Sequence, residues 1–185
     1  MGRINLLSDP LITCHDWQFW SDLMPVKLTD LKAGDDAPAF SMPGSGDSGT
    51  ITLSDFAGKY LVLYFYPKDN TPGCTTEAID FTALKDEFTA LNAEIIGVSR
   101  DSLKKHDNFI AKKDLGIVLG ADLEGSVTED YGVWVEKSMY GKTYMGIQRA
   151  TFLIGPDGKI IEVWPKVRVK GHAEAVLDSL REQSA

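Results

Sequence analysis

Cysteine is scarce in this chain: Cys14 and Cys74 are the only two in 185 residues. That count argues against a secreted scaffold stapled by disulfides and sets the expectation of a reducing compartment. Basic residues are outnumbered, 19 Lys and Arg against 27 Asp and Glu, for a net charge of −8. No Lys or Arg cluster offsets that balance, which argues against nucleic acid or an anionic membrane as a partner. No apolar run is long enough to span a bilayer. The opening residues, Met1 to Pro10, lack the continuous apolar stretch of a secretory signal. Leu11-Ile12-Thr13-Cys14 faintly resembles a lipoprotein cleavage site, but the stretch before it is short and broken by Asp9 and Pro10. A cytoplasmic protein is the expectation. Histidine is sparse as well, and the three that are present, with the two cysteines, form no recognisable metal-ligand set. Neither metal nor cofactor is expected. Internal repeats and low-complexity tracts are absent.

What is present is enough apolar side chain, 43% of the residues, for one domain with a substantial core. Residues 26–185 read as that domain. Residues 1–25 read as an N-terminal extension, with Cys14, His15, Trp17, Phe19 and Trp20 in it. Those aromatics suit docking onto a surface, but a frayed or non-native extension is the preferred reading, and Met24 offers an alternative start.

The chain is organised around Tyr60-Leu61-Val62-Leu63-Tyr64-Phe65-Tyr66 and the polar loop and helix after it. The unbroken apolar and aromatic run predicts a strand buried on both faces. Ala78, Phe81, Leu84, Phe88 and Leu91 then form a stripe at helical spacing. The helix should begin near Pro72 or Gly73, where a proline loses no hydrogen bond. Further along, Glu94–Ser99 predicts a buried strand, Ile117–Leu119 a short strand, and Ser126–Tyr131 a short helix. Asp101 or Ser102 should cap a helix carrying Leu103, Phe109 and Ile110. Ser138–Gly146 reads as a polar loop. Ile147–Ile154 and Lys159–Trp164 read as strands joined by the turn Gly155-Pro156-Asp157-Gly158. A last helix is expected from His172 to Glu182. Before the central strand, Ala39–Met42 and Thr50–Leu53 are strand candidates around a glycine-rich hairpin loop, which lacks the Gly-Lys-Ser/Thr ending of a phosphate cradle. Strands alternating with helices, then a hairpin and a final helix, predict an α/β fold with a mixed sheet; pattern alone leaves several such folds open.

Cys74 falls in the predicted first helical turn, where free N–H groups and the dipole favour an anion. The thiolate is the nucleophilic form of cysteine, and an ordinary thiol is only roughly 3% ionised at neutral pH. Ionising it fully gains about thirty-fold, far short of an enzyme's typical acceleration of at least about 10⁶. Other groups must therefore bind and polarise a substrate. Thr71 is placed to offer a hydroxyl, Pro67 to shield the thiolate from water, and a cation from elsewhere in the chain would complete the set. From these residues alone, a reactive and a merely structural Cys74 both stand open. Thr71 equally suits a helix cap, and Pro67 a strand terminator.

The run Phe65-Tyr66-Pro67-Lys68-Asp69-Asn70-Thr71-Pro72-Gly73-Cys74-Thr75-Thr76-Glu77 resembles the active-site signature of the peroxiredoxins, and of their bacterioferritin-comigratory-protein or peroxiredoxin Q subfamily. The likeness runs from about Leu31 to the end of the chain and includes Tyr131–Trp134, Arg149–Ile154 and Lys170-Gly171-His172. It implies a thioredoxin-like fold, a central mixed sheet flanked by helices. It also implies a thiol-dependent peroxidase serving antioxidant defence, which reduces hydrogen peroxide and organic hydroperoxides through a cysteine sulfenic acid. Cys74, Thr71, Arg149 and Pro67 match the family's catalytic positions. Without the resemblance, Arg149 reads as a solvated arginine at a strand end; with it, as the cation beside Cys74. Glu77, unpaired, would disfavour the thiolate, so a cation is expected to pair with it, Arg149 being the candidate; its plainer role is a carboxylate in a first helical turn.

One position departs from the subfamily. Many members carry a resolving cysteine five residues after the first, and here that residue is Ile79. The resemblance then implies an external thiol such as thioredoxin, glutaredoxin or glutathione, with Cys14 a weaker candidate, in a monomer or weak dimer. Two other classes compete. A thiol–disulfide oxidoreductase would want Cys-x-x-Cys where Cys74-Thr75-Thr76-Glu77 stands. A redox-sensing module would oxidise once without turning over. A Cys-His-Asp protease with His106 or His172 as base carries little weight, because both histidines read as solvated helix residues.

Overall fold

The computed structural model describes residues 29–139 and 141–184; Cys14 and the aromatic residues of the expected extension lie outside them. The central strand is β3 (Tyr60–Phe65). Before it come β1 (Ser41–Pro43) and β2 (Thr50–Thr52), an antiparallel pair. After it come α1 (Pro72–Ala83), α2 (Lys85–Ala90), β4 (Ala93–Ser99), α3 (Leu103–Lys113), β5 (Val118–Ala121) and α4 (Ser126–Asp130). The chain continues through β6 (Trp134–Met139), β7 (Lys142–Ile147), β8 (Ala150–Ile154) and β9 (Ile160–Trp164) to α5 (His172–Ser184).

The main sheet has the order β5-β4-β3-β8-β9. Strands β3, β4 and β5 are parallel, whereas β8 and β9 add on antiparallel. Strand β3 sits in the middle, and Leu61 through Phe65 are fully buried. Its alternate residues feed two cores, one on each side of the sheet. Val62, Tyr64 and Tyr66 pack with Phe81, Phe88, Phe109 and Leu177, while Leu61, Leu63 and Phe65 pack with Val98, Tyr131, Phe152 and Ile160. That double burial is why β3 shows no polar alternation.

Two expectations need correction. The stripe from Ala78 to Leu91 is two helices, broken at Leu84, rather than one. The Phe88 N–H still returns to the Leu84 carbonyl at 3.1 Å, so the apolar face continues across the break. Ser138, Met139 and residues 142–146 are strand rather than loop: β6 and β7 form an antiparallel ribbon in register from Trp134↔Ile147 to Met139↔Lys142. Ile147 belongs to that ribbon, and the next strand starts only at Ala150. The ribbon escapes a hydrophobic-pattern reading because much of β7 faces solvent, so nothing selects for apolar alternation there.

Register brings distant residues together. Phe65 pairs with Ala150 across β3 and β8, so Arg149 lies at the sheet end from which the Pro67–Cys74 loop departs. Tyr64 pairs with Gly97 across β3 and β4. A Cβ added at Gly97 would stand 2.6 Å from the Tyr64 ring and hydroxyl, a collision with a fully buried ring. Gly97→Ala should therefore destabilise the chain by about 1–3 kcal/mol, read as a lower urea midpoint at unchanged m.

Candidate active site

Strand β3 ends at Phe65, and the chain crosses five residues before Thr71 caps α1. Asn70 takes a left-handed conformation, φ 59°, which asparagine tolerates better than most side chains. Thr71 is extended at the N-cap, φ −85° and ψ 152°, and Pro72 opens the helix. Cys74 thus lies in the first turn, where backbone N–H groups lack intrahelical partners. Its side chain points to the core and is 2% exposed.

Arg149 is the cation beside it. Nη2 donates to Cys74 Sγ at 3.2 Å, and Nη1 donates to Glu77 Oε2. The guanidinium is mostly buried, at 14% side-chain exposure, so the solvated strand-end reading of Arg149 does not describe this chain. Burial works against its charge, but Glu77 and Cys74 outweigh that and hold the guanidinium ionised more firmly than usual. Glu77 is itself buried. Burial pushes its carboxyl up to about 7, against the pull of Arg149 in the opposite direction. Glu77 is no solvent-facing first-turn carboxylate; it holds one arm of the guanidinium while the other arm reaches sulfur.

The remaining predicted residues sit differently. The Thr71 hydroxyl donates to the Lys68 carbonyl at 2.9 Å and makes no side-chain cap bond. Its single proton is committed there, so toward a ligand it accepts. Pro67 is exposed and lines a groove beside the site.

The two histidines overturn the solvated reading. His106 has no exposure, and His172 is 6% exposed. His172 Nε2 lies 2.8 Å from Thr151 Oγ1, its ring edge-on to Phe81 and Trp164. Burial, with Arg149 nearby, holds it down to about 4. His106 is part of a polar cluster under the Cys74 loop. Its Nδ1 lies 2.8 Å from Asp69 Oδ2, and its Nε2 lies 3.2 Å from the Gly120 carbonyl. The Tyr66 hydroxyl donates to Asp69 Oδ1 at 2.7 Å, and the Asp69 N–H donates to Asp101 Oδ2 at 2.9 Å. Asp101 thus anchors the loop rather than capping α3, whose N-cap is Ser102. Asp69 sits midway between Pro67 and Thr71, and this buried cluster fixes the loop that presents them. Sequence reading misses it: Asp69 lies within the signature run, but nothing marks it as buried. Among the described residues, no group of His, Cys, Asp and Glu could hold a metal ion.

With this geometry in hand, likenesses to known proteins can be placed. Residues 33–163 match the AhpC/TSA family. The chain is 49% identical over 155 residues to peroxiredoxin Bcp of Xanthomonas campestris pv. campestris, covering 83% of this chain and 97% of that one. It is 48% identical over 155 residues to peroxiredoxin Bcp of Bacillus subtilis, covering 83% and 98%. A solved structure of the X. campestris bacterioferritin comigratory protein, described with its alkyl peroxide reduction activity, superimposes with a TM-score of 0.77 at 44% identity, over 85% of this chain and 99% of that one.

The buried charges lead to two expected outcomes. The folded chain holds the Glu77 proton up to about pH 7, whereas the unfolded chain releases it near its ordinary value. Glu77 therefore makes stability fall as pH rises through that window. Glu77→Gln has no such ionisation, so its stability relative to wild type should improve between about pH 5 and about pH 8, measured by urea unfolding at both. His106→Leu strips Asp69 Oδ2 of its ring partner inside the protein and should cost about 1–3 kcal/mol by the same measurement.

Proposed function

This chain belongs to the AhpC/TSA family and to its peroxiredoxin Q, or Bcp, branch, and on that premise we propose how its thioredoxin-like fold reduces peroxides. The enzyme is a peroxiredoxin, a thiol-dependent peroxidase. The reading is that Cys74 Sγ, as thiolate, attacks the terminal oxygen of hydrogen peroxide or an alkyl hydroperoxide. The S–O bond forms as the O–O bond breaks. Sulfur is oxidised to the sulfenic acid, and the departing oxygen takes a proton to leave as water or alcohol. Thr71 Oγ accepts from the hydroperoxide O–H, since its own proton is given to Lys68. The N–H groups of the first turn of α1 and the Arg149 guanidinium stabilise the charge that develops on the leaving oxygen.

The contact that carries this reading is Arg149 Nη2 at 3.2 Å from Cys74 Sγ. It sets a cation directly against the attacking sulfur and leaves the same cation beside the bond that breaks. The relative described with alkyl peroxide reduction activity supports alkyl hydroperoxides as a substrate class.

Resolution falls to another thiol. Cys74 is the free cysteine among the described residues, and Ile79, 43% exposed, stands where a nearby resolving thiol would be. An external reductant of the thioredoxin, glutaredoxin or glutathione class fits this arrangement better than Cys14. A cytoplasmic monomer or weak dimer is part of the same proposal. The disulfide oxidoreductase alternative has no support at Thr75, Thr76 and Glu77, none of which supplies a second sulfur.

Cys74→Ser should abolish peroxide consumption in an assay supplied with thiol reductant; retained turnover would sink the mechanism. Arg149→Lys keeps the charge but has one nitrogen for two partners. It should lower kcat/KM for peroxide by about 10²-fold, read by competition kinetics.

A further inference from the structure

Next to the active-site loop lies a cleft of about 490 Å³, and none of Cys74, Thr71 and Arg149 lines it. Its volume is within the ~300–1,000 Å³ typical of small-ligand sites. Pro67 and Lys68 form one wall, α3 and the Arg100 region another, and the β6–β7 ribbon the third. In a chain of net charge −8, the cleft is cationic: Lys68, Arg100, Lys105 and Lys137 line it, with Asp101 the one carboxylate.

Two of these cations are already occupied. Arg100 pairs with Glu129 at 2.9 Å and lies over the Trp134 ring, and Lys105 pairs with Asp101 at 2.9 Å. Lys68 and Lys137 have no carboxylate partner among the described residues. The half-buried Lys137 ammonium donates to the Ile147 carbonyl at 2.5 Å, two residues before Arg149. Burial and the repulsion of Arg149 hold its proton more loosely than usual, while the Cys74 charge works in the other direction. An anion in the cleft would relieve that ammonium, whose carbonyl partner Ile147 lies two residues before Arg149, the residue that contacts Cys74 Sγ. Trp134, Tyr144 and Met145 add apolar surface for the body of a ligand.

The geometry points to this cleft as the docking site for the resolving co-substrate, a small thiol carrying carboxylates, held by Lys68 and Lys137 with its sulfur toward Cys74. This rests on the peroxidase reading above. A concave site suits a small molecule, and the carboxylates answer the two cations that have no carboxylate partner among the described residues. The chemistry closes without further reagents. The docked thiol attacks the Cys74 sulfenic acid, an S–S bond forms, the S–O bond breaks and water leaves. A second thiol then displaces Cys74 as thiolate and departs as the disulfide, so two thiols supply the two electrons that the peroxide took.

The probe is glutathione against its dimethyl ester, which keeps the sulfur and removes the carboxylate charges. Full-length protein is oxidised with one equivalent of hydrogen peroxide, and formation of the mixed disulfide is timed by intact mass. After correction for each thiol's ionised fraction, the acid should react at least about tenfold faster than the ester. In Lys68→Gln/Lys137→Gln that ratio should fall toward one. No preference in the wild type, or a preference that survives the double substitution, overturns the proposal. So does a carboxylate preference confined to the oxidation step, seen as faster reaction with a fatty-acid hydroperoxide than with its methyl ester. Calorimetry with S-methylglutathione, which cannot react, tests the cleft without the sulfur chemistry. Binding that weakens at least about tenfold in the double variant supports the cleft even if peroxide fails to oxidise Cys74, a failure that would sink the peroxidase reading alone. Absent binding in a working peroxidase sinks the cleft alone.

Discussion

A guanidinium held between a buried carboxylate and a sulfur is the interaction on which the rest of this structure turns. Each member is awkward alone. Glu77 is almost sealed from water, Cys74 is equally enclosed, and Arg149 is mostly buried. Burying any one of these charges unpaired would be expensive. Together they satisfy one another: Glu77 aligns the planar fork, and the second arm of the fork meets sulfur. One Glu77 oxygen still lacks a hydrogen-bond partner among the described residues, as does the Tyr64 hydroxyl. The site is thus not relaxed to its lowest electrostatic cost, a condition typical of places where function sets the arrangement.

The fold makes that meeting possible through the direction of one strand. Because β8 runs antiparallel to β3, its first residue pairs with the last residue of β3. Arg149, one position earlier, is delivered to the end of the sheet where α1 begins. A parallel β8 would place it at the opposite end. The polar cluster of Asp69, His106, Tyr66 and Asp101 performs the second task, tying the intervening loop to α3 and to the turn between β4 and α3 so that Thr71 and Cys74 keep their positions. The start of α1 is therefore clamped from the β8 side by Arg149 and from the α3 side by Asp69.

Much of this is legible in the sequence, for identifiable reasons. Strand β3 is buried on both faces, so its residues must be uniformly apolar, and that shows in one dimension. Pro72 marks the start of α1 because its ring constrains the backbone locally. The features that pattern misreads share a different cause. His106 and His172 sit on helices among charged neighbours, and the two nitrogens of a histidine suit solvent and a buried network alike. The partners that decide between these, Asp69 and Thr151, are 37 and 21 residues away. The β6–β7 ribbon reads as loop because a ribbon exposed along much of its length leaves little hydrophobic signature.

By itself, then, the order of residues determined the local facts: a buried central strand, a proline-opened helix, a cysteine in its first turn, and a motif whose likeness named the chemistry. It also determined that no second sulfur stands at Ile79. What only the tertiary structure decided was every pairing across a long stretch of chain: Arg149 with both Cys74 and Glu77, Asp69 with His106, and the cationic cleft between the loop and the ribbon. Local structure follows from backbone sterics and hydrophobic period, which neighbouring residues carry. Which charges share an enclosed space follows from strand order, direction and register, and these emerge only when the sheet assembles.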